Sequence, residues 1–277
     1  RGPRTGVEWL TVVITFANLP DFFNSLSVAV DLMLECGSAT DVGRVRELNE
    51  DNFGFDASRG VLALADGMGG CNGGEVASAI AINAVMTTLR RELDGAADSS
   101  ERSVRVWRQL AQAIGRANEE IYAAGRKAVD LDGMGTTLVV AWFDRDRLVV
   151  ANIGDSRLYR MRDGLLVQMT VDHTVLREQL DFGLITPAQA RVSNQRGLLT
   201  RALGIDLAVE VDLTEHAVQT GDMYLLCSGG LIDMLEDEEI QRVLRAFESD
   251  LHTAAAQLVK MANERGGYDN TSVIVAR

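Results

Sequence analysis

The sequence predicts an α+β fold: a four-layer α-β-β-α sandwich with two antiparallel sheets face to face, each flanked by a helix pair. Two observations carry this prediction. Short strand-like segments follow one another through hairpin-sized turns, so they pair antiparallel and not through βαβ crossovers. The helical segments come as two consecutive pairs, and one of those helices is apolar almost all round, so it must be buried against a sheet.

Each element follows from its local pattern. "LMLECGSATD" (32–41) alternates in part and reads as a first strand. "DNFGFDASRGVLALAD" (51–66) reads as two strands joined by a turn at Ser58-Arg59-Gly60. "GEVASAIAINAVMTTLRREL" (74–93) is the long apolar helix, and "DGAADSS" (94–100) is a loop. A second helix shows Val104, Trp107, Leu110, Ala111, Ile114, Ala117 and Ile121 at helical spacing. From Gly135 the period becomes two. "TTLVVAWFD", "RLVVANIG", "SRLYRMRDG" and "LLVQMT" form a meander with turns at Asp144-Arg145-Asp146 and Asp163-Gly164. Residues 170–205 are irregular, with short helical pieces near 173–182 and 187–191. "DMYLLCS" (222–228) is a strand, 237–247 and 251–266 are helices, and "DNTSVIVAR" (269–277) closes the fold. The Met residues at 161, 169, 223 and 234, with Trp107, are expected in the core.

Composition narrows the function. The 277 residues carry 47% apolar and 24% charged side chains, ordinary for a globular chain. A net charge of −13 opposes binding to nucleic acid or an anionic membrane. Cys36, Cys71 and Cys227 are scattered, without CxxC spacing. They form no disulfide framework and no zinc cluster, and a cytoplasmic location is expected. Three histidines, no HExxH and no GxSxG argue against a histidine-rich zinc site or a Ser-His-Asp triad. Residues 7–32 are apolar but broken by Glu8, Asn18, Pro20, Asp21 and Asn24, so no membrane span is expected. Residues 1–32 read as an N-terminal extension or a mis-set start, and 33–277 as the domain proper.

Acids recur at strand ends: Glu50-Asp51, Asp66, Asp132, Asp155 and Asp269. One such acid is ordinarily a turn former or a cap. Several of them beside Gly or Asn suggest a converging oxygen cluster. Carboxylates without a counter-charge repel, and a hard divalent ion relieves that; oxygen donors favour Mg²⁺ or Mn²⁺ over zinc. Two such ions can hold a water, acidify it and clamp a phosphoryl group. The loop "ADGMGGCNGGEVAS" (65–78) lacks the Lys of a phosphate-cradling P-loop, so Asp66 and the Gly67 carbonyl suit a metal better. Arg46 offers a planar fork for phosphate oxygens; an ion pair with Glu50 is the competing reading.

The stretches "TDVGRVRELNEDN", "LALADGMGG..GGEVAS", "DGMGTTLVVAW", "VANIGDSRLYRMRDG", "TVDHT", "YLLCSGGLID" and "GGYDNTSVIV" occur in one order across about 33–277. Together they resemble the bacterial form of the metal-dependent protein phosphatases of the 2C type. The resemblance implies a serine/threonine phosphatase that uses a metal-activated water, with two Mg²⁺ or Mn²⁺ ions and a third, weaker one. It implies that Arg46 binds the substrate phosphate and that Glu50 and Asp51 hold metal-bound waters. Asp66 would bridge the metals, the Gly67 carbonyl and Asp269 would be ligands, and Asp132 would hold the third ion. Asp155 would support the site from behind, and Asn270 would orient Asp269. Residues 170–205 would form a flap shaping substrate access. The implied partners are phosphoproteins and an opposing Ser/Thr kinase, and the chain is expected to be monomeric.

One departure stands out. The family reads Ser-Asp-Gly where this chain has Ser228-Gly229-Gly230, so a metal-binding carboxylate is missing. Weakened metal binding is expected, with water or Asp233 in the empty place. The alternative is a catalytically impaired pseudophosphatase that acts as a phosphoprotein-binding module.

Overall fold

Strands that bury both faces set the architecture. The computed structural model describes residues 34–69, 73–93, 102–191, 193, 195 and 197–277. Cys71, the loop 94–100 and the extension 1–32 lie outside the described residues. The elements run β1 (Cys36–Asp41), β2 (Asp51–Asp56), β3 (Val61–Met68), α1 (Gly73–Leu93), α2 (Arg102–Gly125), β4 (Gly135–Thr136), β5 (Leu138–Asp144), β6 (Arg147–Ile153), β7 (Arg157–Arg162), β8 (Leu165–Gln168), α3 (Val175–Asp181), α4 (Pro187–Arg191), β9 (Asp212–Ala217), β10 (Met223–Cys227), α5 (Gly229–Ile232), α6 (Asp237–Ala246), α7 (Leu251–Glu264) and β11 (Thr271–Ala276). One sheet has the order β1-β11-β10-β7-β8; the other has β2-β3-β5-β6-β9, with β4 beside β3. Every pairing is antiparallel.

Alternation along each central strand feeds two apolar layers. On β3, Val61, Ala63 and Ala65 face α1 and α2, while Leu62 and Leu64 face the other sheet. On β10, Met223, Leu225 and Cys227 face α6 and α7, while Tyr224 and Leu226 meet the first set between the sheets. Phe143 and Tyr224 touch edge to face across this seam, with ring centroids 4.9 Å apart. The four-layer sandwich is therefore three stacked apolar layers, as the all-round apolar α1 required. Met161, Met169 and Met223 are buried; Met234 and Trp107 are only partly so.

Local chemistry sets the ends of several elements. Glu236 and Glu239 form a capping box on α6, and Asp250 caps α7 by accepting from the Thr253 amide at 3.0 Å. Asp163 and Gly164, both at positive φ, make the β7–β8 turn. Periodicity missed β9, β4 and α5. β9 is an edge strand with Leu213 as its one buried residue, so its alternation is faint. β4 and α5 are too short to show a period. Among the described residues no helix is long and apolar enough to cross a membrane.

Leu226 is wholly buried between the sheets, so Leu226→Ala should lower unfolding free energy by about 2–5 kcal/mol in a urea titration.

Asp222 ties β10 to β7. It accepts from Arg162 Nε and Nη2, both at 2.6 Å, and from the Tyr224 hydroxyl at 2.9 Å. Burial pushes its carboxyl up, but the bonds from Arg162, Gln219 and Tyr224 outweigh burial and hold it below the usual carboxylate range. A depressed folded value means stability that is present above the unfolded pKa of about 3.9 and lost as pH falls through the folded value. Asp222→Asn should therefore be less stable than the native chain at neutral pH. The gap should close below about pH 4, as read by thermal melts across pH.

Candidate active site

β2 and β3 bring the first two acids together. Asp51 and Asp66 are direct partners in the antiparallel ladder, at the end of the sheet that faces β10 and β11. The β3–β5 ladder is interrupted at Asp66, and threonines complete its hydrogen bonds. Its amide donates to Thr137 Oγ1 at 2.9 Å; the Thr137 amide and the Thr136 hydroxyl donate to its carbonyl, both at 2.9 Å. A strand that leaves its regular ladder while fully hydrogen-bonded holds a side chain at a fixed angle.

The opposite sheet completes the group. Ser228, the residue before α5, donates from Oγ to Asp51 Oδ2 at 2.8 Å and accepts from the Ser272 amide at 2.9 Å. The Gly229 amide donates to Asp66 Oδ2 at 3.3 Å. Asp269 lies just before β11 and accepts from Arg46 Nη2 at 2.8 Å. Asn270 clamps this corner. Its Oδ1 accepts from the Glu50 amide at 2.8 Å, and its Nδ2 donates to the Val42 and Leu48 carbonyls, both at 2.9 Å. Its own amide donates to Asp269 Oδ1 at 2.9 Å.

The charges of this group act on one another. Burial first, then the charges of Asp51, Asp155 and Asp269, holds the Asp66 carboxyl well above its usual range. Burial raises Asp51 as well, against hydrogen bonds from Ser228 and Ser272. Burial, then Asp172 and Asp233, pushes Asp155 up to about 6. Asp51 Oδ1 is buried with no hydrogen-bond partner. A buried, partnerless carboxylate oxygen among like charges suits a cation, and the donors are all oxygen, as a hard divalent ion prefers.

Gly67 is required by close approach. A Cβ there would collide with the Gly74 backbone and would lie 2.6 Å from the Glu50 carbonyl, so α1 begins directly against the strand. Glu50 is raised by burial, opposed by Arg46 and by the Gly74 amide at the start of α1.

The structure does not treat all the sequence candidates alike. It gathers Asp51, Asp66, Asp155 and Asp269 at one end of the inter-sheet seam, with Glu50, Gly67 and Asn270 around them. Arg46 pairs with Asp269 and not with Glu50 four residues away, and about half of its side chain (49%) is exposed. Asp132 is exposed at the end of a 3-10 turn and is not among the charges acting most on Asp66. Among the described residues no three His, Cys, Asp or Glu side chains already form a closed ligand set. Asp269 is turned to Arg46, and Asp51 to Ser228.

The irregular stretch is anchored to this centre. Leu203 and Thr136 exchange backbone hydrogen bonds of 2.9 and 3.1 Å, which fasten its far end to β4. His173 is buried. Its Nδ1 accepts from the Gly154 amide at 3.1 Å, which leaves Nε2 to donate to Asp212 at 3.0 Å. A groove of about 340 Å³ runs beside Met68, lined by Thr200, Arg201, Ile205, Asp206 and Glu210.

A family model described as Protein phosphatase 2C matches residues 43–265. The chain belongs to the protein phosphatase 2C family. It is similar to the serine/threonine phosphatase stp of Listeria monocytogenes: 36% identical over 239 residues, covering 85% of this chain and 92% of that protein. The crystal structure of the Mycobacterium tuberculosis serine/threonine phosphatase PstP/Ppp superposes with a TM-score of 0.80 at 40% identity, covering 88% of this chain and 97% of that one. A structure of the PstP catalytic domain in complex with 2 manganese ions gives a TM-score of 0.76 at 39% identity, with the same coverages of 88% and 97%.

Sequence reasoning missed the supporting residues of this phosphatase 2C domain. Thr136, Thr137, Ser156 and Ser228 are buried hydroxyls that bond the acids or one another, with Thr137 Oγ1 and Ser156 Oγ 2.7 Å apart. Their only signal was position beside a candidate acid, in "GTT", "GDS" and "CSGG".

Asn270 is buried and bonds three segments at once. Asn270→Ala leaves the Glu50 amide and two carbonyls without that partner, so it should cost about 3 kcal/mol by denaturant unfolding. It should also release the 42–50 loop, read as faster amide exchange there than in β5.

Proposed function

We propose that residues 33–277 form the catalytic domain of a metal-dependent serine/threonine protein phosphatase that hydrolyses phosphoserine and phosphothreonine in proteins. The carrying observation is the set Asp51, Asp66, Asp155 and Asp269 around a buried, partnerless carboxylate oxygen, with the half-exposed Arg46 beside it. Relatives named as serine/threonine phosphatases, and a manganese complex of one of them, support the same reading.

Mg²⁺ or Mn²⁺, when bound, would neutralise these carboxylates and the phosphate and make water a stronger acid. Asp66, the Gly67 carbonyl and Asp269 would hold two ions, with Glu50 and Asp51 orienting water and Asp132 contributing to a third, weaker site. Arg46 would grip two phosphate oxygens with the fork that Asp269 steadies. The residues around Met68 and the groove beside it would receive the protein chain on either side of the phosphorylated residue. A Ser/Thr kinase would supply the substrate.

Gly229 weakens this machinery without blocking it. A Cβ built there would lie 3.6 Å from Asp66 Oδ2, ordinary contact, so the backbone at this position accepts a side chain. Turnover of a phosphothreonine peptide is to be measured while Mn²⁺ is titrated. The native chain should turn over and saturate only at high Mn²⁺. Gly229→Asp should saturate at lower Mn²⁺, and Asp66→Asn should lose about 100-fold or more in kcat/KM. A native chain silent at every Mn²⁺ concentration, with Gly229→Asp active, would instead make this a pseudophosphatase. Silence of all three would end the catalytic reading.

A further inference from the structure

We infer that the loop around Arg46 reads the sequence beside the phosphorylated residue: Arg44 binds an acidic side chain one or two positions from it, on a ledge that Val45 and Tyr268 complete. The inference rests on the phosphatase reading above and deepens it, by naming the substrate residue that this side of the site selects.

Two loops form the ledge. Residues 43–46 and 266–269 lie against each other: the Arg44 amide donates to the Gly267 carbonyl at 2.7 Å, and Arg46 Nη2 donates to Asp269 Oδ2 at 2.8 Å. The approach is close enough to need glycine. A Cβ on Gly43, whose φ is +84°, would lie 2.6 Å from the Gly267 and Asp269 carbonyl oxygens. A Cβ on Gly267 would lie 3.0 Å from Arg44 Cγ, so the stem of Arg44 rests on this backbone; one on Gly266 would meet the Tyr268 ring at 2.9 Å. Arg44 and Tyr268 are thus held in the same frame as Arg46 and Asp269.

The charge of Arg44 is left for a partner outside the chain. Arg44 is exposed. Asp41 is turned to the Gly43 amide, from which it accepts at 2.9 Å, and Glu47 is exposed; among the described residues neither pairs with Arg44. Beside it Val45 and Tyr268 are 61% and 63% exposed. Distance names the occupant. Two residues of chain span at most about 7 Å, so the Arg44 backbone lies within that of Arg46. A substrate side chain one or two positions from the phosphorylated residue starts as near to the phosphate that Arg46 grips. The occupant is therefore the substrate chain itself. An unpaired guanidinium selects a carboxylate, while Val45 and Tyr268 cover apolar atoms of the same chain. The net charge of −13 opposes an acidic peptide at long range, but at physiological salt that field fades within about 8 Å, and the contact with Arg44 decides.

The test uses labelled phosphothreonine peptides with Glu, Gln or Lys at each position within two residues of the phosphate, at saturating Mn²⁺ and physiological salt. At one position or more, the native chain should hydrolyse the Glu peptide with a kcat/KM about threefold or more above its Gln counterpart. Arg44→Gln should abolish that ratio, and Arg44→Glu should turn it in favour of Lys. The Arg44 amide and not its side chain ties the loops, so both variants should keep the frame, which circular dichroism checks; a ratio between two peptides cancels any general loss of activity. Equal rates for Glu and Gln at every position, or a preference unchanged in Arg44→Gln, overturns the inference and leaves the phosphatase reading standing. A native chain that turns over none of the peptides removes the phosphatase reading, and fluorescence anisotropy of the same peptides then decides the inference alone. Tighter binding of a Glu peptide that Arg44→Gln abolishes supports it; equal binding, or none, overturns it.

Discussion

Carboxylates in a poorly solvated place repel one another, and both sheets of this protein send theirs to one end of the seam between them. Asp51 and Asp66 arrive on adjacent strands of one sheet; Asp269 comes from the start of a strand in the other. The apolar layer behind them keeps water out and makes the repulsion stronger. Neutral donors hold the group in place: a serine hydroxyl on Asp51, a glycine amide on Asp66, an asparagine amide on Asp269. None of these donors cancels the charge. The arrangement is therefore primed for protons or cations, and burial first of all displaces Asp51, Asp66 and Asp155 upward.

A group this strained needs a stiff frame. Three apolar layers supply it, because each central strand is buried on both faces and cannot slip by one residue without turning its whole side-chain set over. The frame then relaxes at one place. At Asp66 the ladder is interrupted and threonine hydroxyls take part in the pairing, so the acid is aimed by side chains as well as by the sheet. Thr136 also fastens the irregular segment through Leu203, so that segment and the acid centre share one support.

Family membership fixes the frame more firmly than it fixes each position. The Protein phosphatase 2C match spans residues 43–265, yet at residue 229 this chain has hydrogen where a Cβ would make only ordinary contacts. The consequence is local. The strand, the serine before the glycine and the short helix after it all keep their places, because their bonds run through the backbone and Ser228. The corner therefore keeps its shape with no side chain at residue 229, and the Asp66 and Asp155 carboxylates border the space left there.

Helices α1, α2, α6 and α7 were legible because one turn of a helix repeats within a few residues, so a short window shows which face is apolar. The central strands were legible as short apolar segments between turn residues, with a period of two from Gly135 onward. β9 was not, since an edge strand with one buried residue has almost no pattern to read. The acids could be enumerated but not placed. Arg46 has Glu50 within helical reach in sequence, yet its partner is Asp269, 223 residues away, and Asp132 resembles the others while standing exposed. The sequence by itself determined the layers, the helix pairs and the residue types offered to a site, because these depend on contacts between near neighbours in the chain. Only the tertiary structure decided which acids meet, what orients them and what space Gly229 leaves, because those depend on β1, β10 and β11 joining the two ends of the chain in one sheet.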